Sequence, residues 1–375
     1  MAHRLWDVVI LGAGPAGAMA AYELAKHNLH VLLIDQSAFP RQKVCGGCLS
    51  HRALGELESA GLGDLTYRLG AKPVHGVCIV SANRSARIQI PQGASLSRER
   101  FDFALVEEAR SKGAVFLSST KGVMAGAGPD FARVRIAQNK KESEVHARIA
   151  LVSDGLLGSS LGDFPEGRAV VSTHSLIGVS TSLDEKTCFG EEGVITMACG
   201  QGGYVGIARR EDNRLEIAAA IRPRFLKFAG TPGKCVEAIL GEAGLKLPGG
   251  FSNVHWQGAP SFPRARKVLA GKRFFVLGDA SGFVEPFTGE GIYWALVQAK
   301  ALVSLLRSRG FAWNDELPSQ WQKVHHALLG RRMKACKIIT TMLRMPALCR
   351  LAVEMTHRAP WLVSSIVRYV HGSDS

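Results

Sequence analysis

The sequence predicts an α/β fold, α+β overall: a parallel-sheet domain assembled from separate stretches, a second domain on an antiparallel sheet, and C-terminal helices. Three observations carry that prediction. The chain opens on an apolar run, a glycine turn and an alanine-rich helix, Asp7-Val8-Val9-Ile10-Leu11-Gly12-Ala13-Gly14-Pro15-Ala16-Gly17. Between about 170 and 222, short strand patterns follow one another with few helical signals. After residue 270 a buried strand and a glycine turn of the first kind return. With 375 residues, 46% of them hydrophobic, the chain has apolar material for two or more subdomains.

The opening element has a specific physical logic. Gly12 allows a tight turn, Gly14 lets backbone approach a pyrophosphate, and Gly17 lets helix and strand pack closely. A helix starting near Pro15 aims its free N–H groups and positive dipole end at phosphates. A second apolar strand, Val31-Leu32-Leu33-Ile34, ends at Asp35, 18 residues after Gly17, where an acid meets a ribose hydroxyl. Strand, turn, helix and acid together read as a dinucleotide site, against the plainer reading of a βαβ turn.

The remaining elements follow in order. Phe39 to Leu49 is a loop by its Pro and Gly content, leading into an amphipathic helix with Ala53, Leu54, Leu57 and Ala60 on one face. Val77 to Ile90 reads as two short β segments around Ala82-Asn83-Arg84. Ser97 caps a helix through about Ser111, and Ala114 to Leu117 is a buried strand. Residues 120–152 form a β meander that ends in Ser153-Asp154-Gly155. Further strands run to about 222, then a helix from Lys234 to Glu242. Arg273 to Leu277 is a strand, followed by Gly278-Asp279-Ala280, a turn from Glu285 to Gly291, and a helix from Ile292 to about Arg309. The rest is helical, broken by Pro318, Pro346 and Pro360. This divides the chain into a discontinuous cofactor domain (1–70, 97–160 and 270–310), a substrate domain (71–96 and 161–269) and C-terminal helices (311–375).

Composition narrows the classes. Arg4 and the apolar stretch after it imitate a signal peptide, but cleavage there would destroy the glycine turn, so no export signal is read. No run reaches the roughly 18–20 apolar residues that span a bilayer. Eight scattered cysteines make no disulfide framework and fit a reducing cytoplasm. The formal net charge is +14, and residues 322–372 hold nine Lys or Arg against one acid, Glu354. There Met333, Ile338, Ile339, Met342 and Leu343 alternate with Arg332, Lys334, Lys337 and Arg344. Such helices suit an anionic membrane surface, on the inner face of the membrane; the alternative is that they pack on the cofactor domain and turn basic residues to water. Nucleic acid is a poor partner, because the cations come with bulky apolar side chains and no recognised binding fold.

Cys45 and Cys48 allow several readings. Zinc requires four ligands, and no second Cys or His pair stands at suitable spacing, so no metal is expected. A thioredoxin-type pair opens a helix in a different βαβ context. A small packing residue beside Gly46-Gly47 and a catalytic thiol both remain open for Cys45.

The fingerprint at Gly12, Asp154-Gly155 after a strand, and Gly278-Asp279 after a strand recur in this order in one family. The chain resembles FAD-dependent oxidoreductases of the para-hydroxybenzoate hydroxylase fold, and within them geranylgeranyl reductases. The motifs are Pro40-Arg41-x-Lys43-x-Cys45-Gly46-Gly47 and Pro286-x-Thr288-Gly289-Glu290-Gly291-Ile292. The resemblance covers roughly residues 5–305. It implies a Rossmann-like FAD domain in which Gly12, Gly14, Ala16 and Gly17 face the pyrophosphate and Asp35 the adenosine ribose. It places Arg41 near ribose or pyrophosphate, Arg98 along the cofactor, Asp154 near the pyrophosphate, and Gly278-Asp279 at the ribityl hydroxyls. Gly289, Glu290, Gly291 and Ile292 would present N–H groups to the flavin N1–C2=O edge. That last role has its own physical ground, since a reduced flavin concentrates negative charge there and a helix start supplies donors and a positive dipole end. Cys45 and Gly46 would lie beside the isoalloxazine, Cys45 giving a proton or fixing an alkene, with Gly47, Tyr204 and Pro286 toward the substrate. Cys48 is read as packing.

Two departures matter. The family's Gly-Tyr-x-Trp element is Gly203-Tyr204-Val205-Gly206 here, without Trp, so the pocket suits a different substrate. The Trp-x-Trp-x-Ile-Pro element of flavin-dependent halogenases is absent, against halogenation. No second strand–GxGxxG–helix unit is visible, so NAD(P)H would bind transiently as electron donor, or a protein donor would serve. The resemblance thus implies an FAD-dependent reductase of carbon–carbon double bonds in an isoprenoid or other lipid-like substrate. The competing expectations are an FAD-dependent aromatic hydroxylase acting on a hydrophobic natural product, and a flavin-bearing membrane sensor without catalysis.

Overall fold

β1 (Leu5–Leu11) divides its side chains between two cores, Val8 and Ile10 on one face, Val9 and Leu11 on the other. In the computed structural model, which describes residues 5–162, 164, 169–184, 191–245, 254–285 and 289–358, this strand sits centrally in the first of two sheets. It is followed by α1 (Pro15–Ala25) and β2 (Val31–Ile34), which pairs parallel to it with Ile10 against Leu33. β3 (Cys48–Leu49), α2 (His51–Ser59) and α3 (Leu65–Arg68) lead to a long hairpin of β4 (Lys72–Ser81) and β5 (Arg84–Ser95). Ala82 and Asn83 close it, both at positive φ, the backbone whose twist matches paired strands. The hairpin is longer than the two short segments expected there, because cross-strand pairing extends well beyond the apolar run.

Ser97 caps α4 (Arg98–Ser111), its Oγ accepting the Arg100 N–H. β6 (Val115–Leu117), β7 (Lys121–Ala127), β8 (Ala132–Gln138) and β9 (Lys141–Val152) follow. Next come β10 (Ala169–Leu183), β11 (Val194–Gly200), β12 (Gly203–Arg209) and β13 (Leu215–Ile221). Two helices succeed them where one was expected, α5 (Pro223–Ala229) and α6 (Pro232–Ala243). The short α5 buries none of its residues, so it leaves no amphipathic pattern to read. β14 (Gln257–Arg266), β15 (Ala270–Gly271), β16 (Phe274–Val276) and β17 (Gly282–Phe283) precede α7 (Gly291–Arg307), α8 (Leu317–Leu343) and α9 (Pro346–Arg358). Pro318 lies in the first turn of α8, where a missing N–H is tolerated, so it starts a helix rather than breaking one. Pro360 lies outside the described residues.

The first sheet runs β15-β16-β9-β1-β2-β6, with β8 on β9 and β7 on β8; β16, β9, β1, β2 and β6 are parallel. One face packs on α1, α4 and α7, the other under the β7–β8 meander through Met124, Val134 and Ile136. The second sheet runs β17-β14-β10-β13-β12-β11-β4-β5-β3, antiparallel except between β11 and β4. α6 fills one face with Val236, Ile239 and Leu240. Cys349 of α9 packs into the cluster on the other, beside Met197, Cys199 and Tyr204.

α8 is not an appendage. Trp321 is fully buried and its Nε1–H donates to Val276 O at 3.3 Å. His325 Nε2 lies 3.1 Å from Ser281 Oγ, in the turn after β16. Burial, with His326 beside it, lowers the His325 imidazole from 6.5 to about 4. Between those values the unfolded chain binds a proton that the folded chain refuses, so stability is complete above pH 6.5 and falls with pH through the window. About 3 kcal/mol is lost at its foot. Melting curves from pH 7 to 4 should show a shallower acid slope for His325→Gln than for the parent; equal slopes would refute the assignment.

Candidate active site

Three strand ends lie side by side. Gly12 N donates to Ile34 O at 2.7 Å, Ser153 N to Leu11 O at 2.8 Å, and Leu277 N to Val152 O at 2.8 Å. The turns that follow all open on one cavity of about 910 Å³. Gly12 holds φ +106°, and a Cβ there would stand 2.4 Å from Ser153 O. A Cβ on Gly17 would stand 1.9 Å from Gly12 O, so Gly17 serves the packing of α1 on β1 and does not itself line the cavity. Gly14 has open space, its nearest neighbour the Arg41 guanidinium at 3.6 Å. Gly14, Pro15 and Ala16 bring the N-terminus of α1 to the cavity wall, with no acid in the first turn to occupy its donors.

Asp35 is buried at the rim of the cavity. Its Oδ2 accepts the Ala13 N–H at 2.8 Å and its Oδ1 the Ser37 N–H at 2.9 Å, so the acid also ties the glycine turn to β2. Arg41 Nε approaches Asp35 Oδ2 at 3.6 Å, and Nη1 approaches Asp102 Oδ2 at 3.2 Å. Asp102, completely buried, holds Arg98 through two bonds of 2.8 Å, Nε–H to Oδ1 and Nη2–H to Oδ2. One carboxylate therefore orients both arginines. Lys43 joins them, its Nζ 2.8 Å from where a Cβ on Gly155 would be. Burial lowers the Lys43 ammonium, Arg98 adding to this and Asp279 opposing it. In the sequence Lys43 shows only as a position of the Pro40-Arg41-x-Lys43 motif and Asp102 only as the acid four residues after Arg98 in Arg-x-x-Phe-Asp, neither with a role of its own.

Gly278 follows β16 at φ +59°, and a Cβ there would meet the Ala16 methyl at 2.9 Å. Its N–H donates to Gln298 Oε1 at 3.0 Å. Asp279 lines the cavity, and burial raises its carboxyl, with Lys43 and Arg98 opposing the rise. Asp154 lines it too. Its Oδ2 accepts the Ser160 N–H at 2.6 Å, and its buried Oδ1 has no hydrogen-bond partner among the described residues. Burial raises this carboxyl as well. Gly289, Gly291 and Ile292 bring the N-terminus of α7 to the same cavity, whereas Glu290 is buried away from the lining. Pro286 lies outside the described residues.

Cys45 and Gly46 line the cavity between the charged cradle and the second sheet. Cys45 Sγ accepts the Gly47 N–H at 3.4 Å and a bond from the Arg98 guanidinium. Gly47 is off the lining; φ +67° and Leu96 O, 2.8 Å from a would-be Cβ, account for glycine there. Cys48 also reaches the cavity, which sequence reading did not anticipate, and burial with Cys45 and Glu216 nearby pushes its thiol up to about 12. Beyond the cysteines the wall is apolar, including Val77, Ile79, Ile195, Met197 and Phe262 of the second sheet and Ile339 and Val353 of α8 and α9. Tyr204 faces this part, buried, beside the Glu285 carboxylate that Arg344 clamps at 3.0–3.1 Å. At Gly206 a Cβ would stand 3.0 Å from Met197 Sδ, so methionine occupies space that a larger residue would need.

These features fit FAD. Three cations and a helix start suit a pyrophosphate, and the unpartnered Asp154 Oδ1 suits a hydroxyl donor. Comparison with known proteins agrees. The family model "FAD binding domain" matches residues 6–208. A menaquinone reductase of Mycobacterium tuberculosis is 25% identical, over 96% of this chain and 90% of its own length. A digeranylgeranylglycerophospholipid reductase of Methanocaldococcus jannaschii is 24% identical, over 91% and 88%. Both alignments extend past residue 305, farther than the motifs alone reach. Among solved structures, a flavoprotein/dehydrogenase from Cytophaga hutchinsonii superposes with a TM-score of 0.83 at 19% identity, covering 98% of this chain and 93% of its own. A geranylgeranyl bacteriochlorophyll reductase-like protein from Thermoplasma acidophilum gives 0.73 at 17%, over 97% and 98%. The flavin-dependent brominase Bmp2 gives 0.78 at 16%, over 98% and 94%.

Proposed function

The chain belongs to the FAD binding domain family, an FAD-dependent oxidoreductase by fold and sequence, and from that premise we propose that it reduces carbon–carbon double bonds of an isoprenoid or other lipid-like substrate. One observation carries the reading: a single cavity joins a cationic, glycine-lined cradle to an apolar compartment, with Cys45 between them. The names of the two reductase relatives support it, since menaquinone and digeranylgeranylglycerophospholipid both bear polyprenyl chains. When bound, FAD would supply a two-electron reductant.

The chain's own residues bind, orient and shield. Arg41, Lys43 and Arg98 offset the pyrophosphate charge, and the α1 N-terminus adds unshared N–H donors. Asp35, Asp154 and Asp279, which line the cavity, would accept from sugar and ribityl hydroxyls of a bound FAD. The α7 N-terminus presents donors where negative charge develops. The apolar wall excludes water and packs a hydrocarbon chain. Cys45 stands within reach of that compartment, its Sγ positioned by the Gly47 N–H and the Arg98 guanidinium that donate to it. Electrons arrive from NAD(P)H bound transiently or from a protein donor.

The test is anaerobic. Flavin reduced without oxygen should be reoxidised by a polyprenyl lipid, with two hydrogens gained by the product. Reoxidation by O₂ alone, with oxygen inserted into a hydrophobic aromatic, would replace this reading with hydroxylation. Cys45→Ser should keep its flavin and lose about a hundred-fold in lipid-driven reoxidation. Unchanged turnover would remove the thiol from the reaction.

A further inference from the structure

Among the described residues no helix is long and apolar enough to cross a membrane, yet one group of helices is poorly suited to water. On α8, Lys334, Ile338 and Thr341 recur at i, i+4 and i+7 and are all exposed, Ile338 by 61%. Met345 (52%) and Leu351 (54%) continue the apolar exposure through the junction into α9, with Arg331, Lys337 and Arg350 also at the surface. Glu354, the one acid between 322 and 358, is engaged by Arg84 at the β4–β5 turn.

We propose that the C-terminal half of α8 and α9 form one face that seats on an anionic bilayer, with Ile338 and Leu351 entering the interface. Basic side chains ringing exposed large apolar ones complement anionic headgroups over acyl chains, whereas a purely solvated face would carry the charge without the apolar residues. The placement serves the site: Ile339 and Val353, on these same helices, line the apolar compartment. This rests on the lipid-substrate reading of that compartment.

Removing the helices would not test the face cleanly, because Trp321 and His325 of α8 brace β16 and the turn after it. The full-length flavin-loaded protein should instead be sedimented with phosphatidylcholine vesicles with and without phosphatidylglycerol. Binding should require phosphatidylglycerol and weaken with added salt. Lys334→Ala with Lys337→Ala should lower the partition constant roughly thirty-fold. Ile338→Ser should weaken it while leaving the salt dependence alone. Retained flavin absorbance identifies a folded variant. Failure to bind phosphatidylglycerol vesicles, or variants that partition like the parent, would overturn the proposal. Reduction of a detergent-dispersed polyprenyl substrate is measured separately: if it proceeds while vesicle binding is absent, the membrane face falls and the reductase reading stands.

Discussion

A Gly12→Ala protein should emerge from purification without flavin. The φ of +106° strains any L residue, by about 1–2 kcal/mol. The larger effect is steric. The new Cβ would stand 2.4 Å from Ser153 O and 2.8 Å from Asp154 Cα, both backbone atoms at the end of a strand paired on either side. Neither can yield without opening the seam between β1 and β9, and Asp154 moves with it. Unfolding should show a loss of several kcal/mol, together with absent flavin absorbance. Gly55→Ala is the control. In mid-helix α2, with nothing within 4 Å of the added methyl, it should gain about 0.5–1 kcal/mol. A Gly12→Ala protein with its full flavin complement would show that the turn can be rebuilt.

Asp102→Ala should be nearly as damaging, though nothing marks Asp102 as a ligand. Its carboxylate is completely buried between Arg98 and Arg41. Truncation leaves two largely buried guanidinium groups without their shared anion, a change that costs about 3–5 kcal/mol where one partner of a buried pair is lost. Denaturant midpoints should fall accordingly, and the two arginines, no longer oriented, should release flavin more readily. A variant within about 1 kcal/mol of the parent would mean that water enters to solvate the pair.

What could be read in advance was local. Gly12, Gly14 and Gly17 announce themselves because a turn, a close approach and a tight packing each exclude side chains within a few residues of sequence. Strands such as Val31–Ile34 show as unbroken apolar runs because both their faces are buried. The roles of Asp102 and Lys43, visible only as motif positions, and of Gln298 were opaque for the opposite reason, their partners lying on other elements. The same holds for α8: a basic amphipathic helix looks alike whether it faces lipid or packs on protein, and only contacts such as Trp321 to Val276 show that one of its faces is committed to the core.

The strand order β16-β9-β1-β2 also dictates when, during synthesis, the chain can hold its cofactor. The neighbouring turns come from residues 12, 153 and 278, so no early fragment contains the site. A nascent chain released as far as β9 can pair β1 with β9 but presents an unfilled parallel edge where β16 belongs. Ribosome-bound intermediates therefore remain exposed to aggregation through that edge until about three quarters of the chain has emerged. Flavin can act only after that point, by capturing a fold already closed and raising its stability by mass action. Its availability governs how much finished protein persists, and has no hold on how the earlier strands find one another.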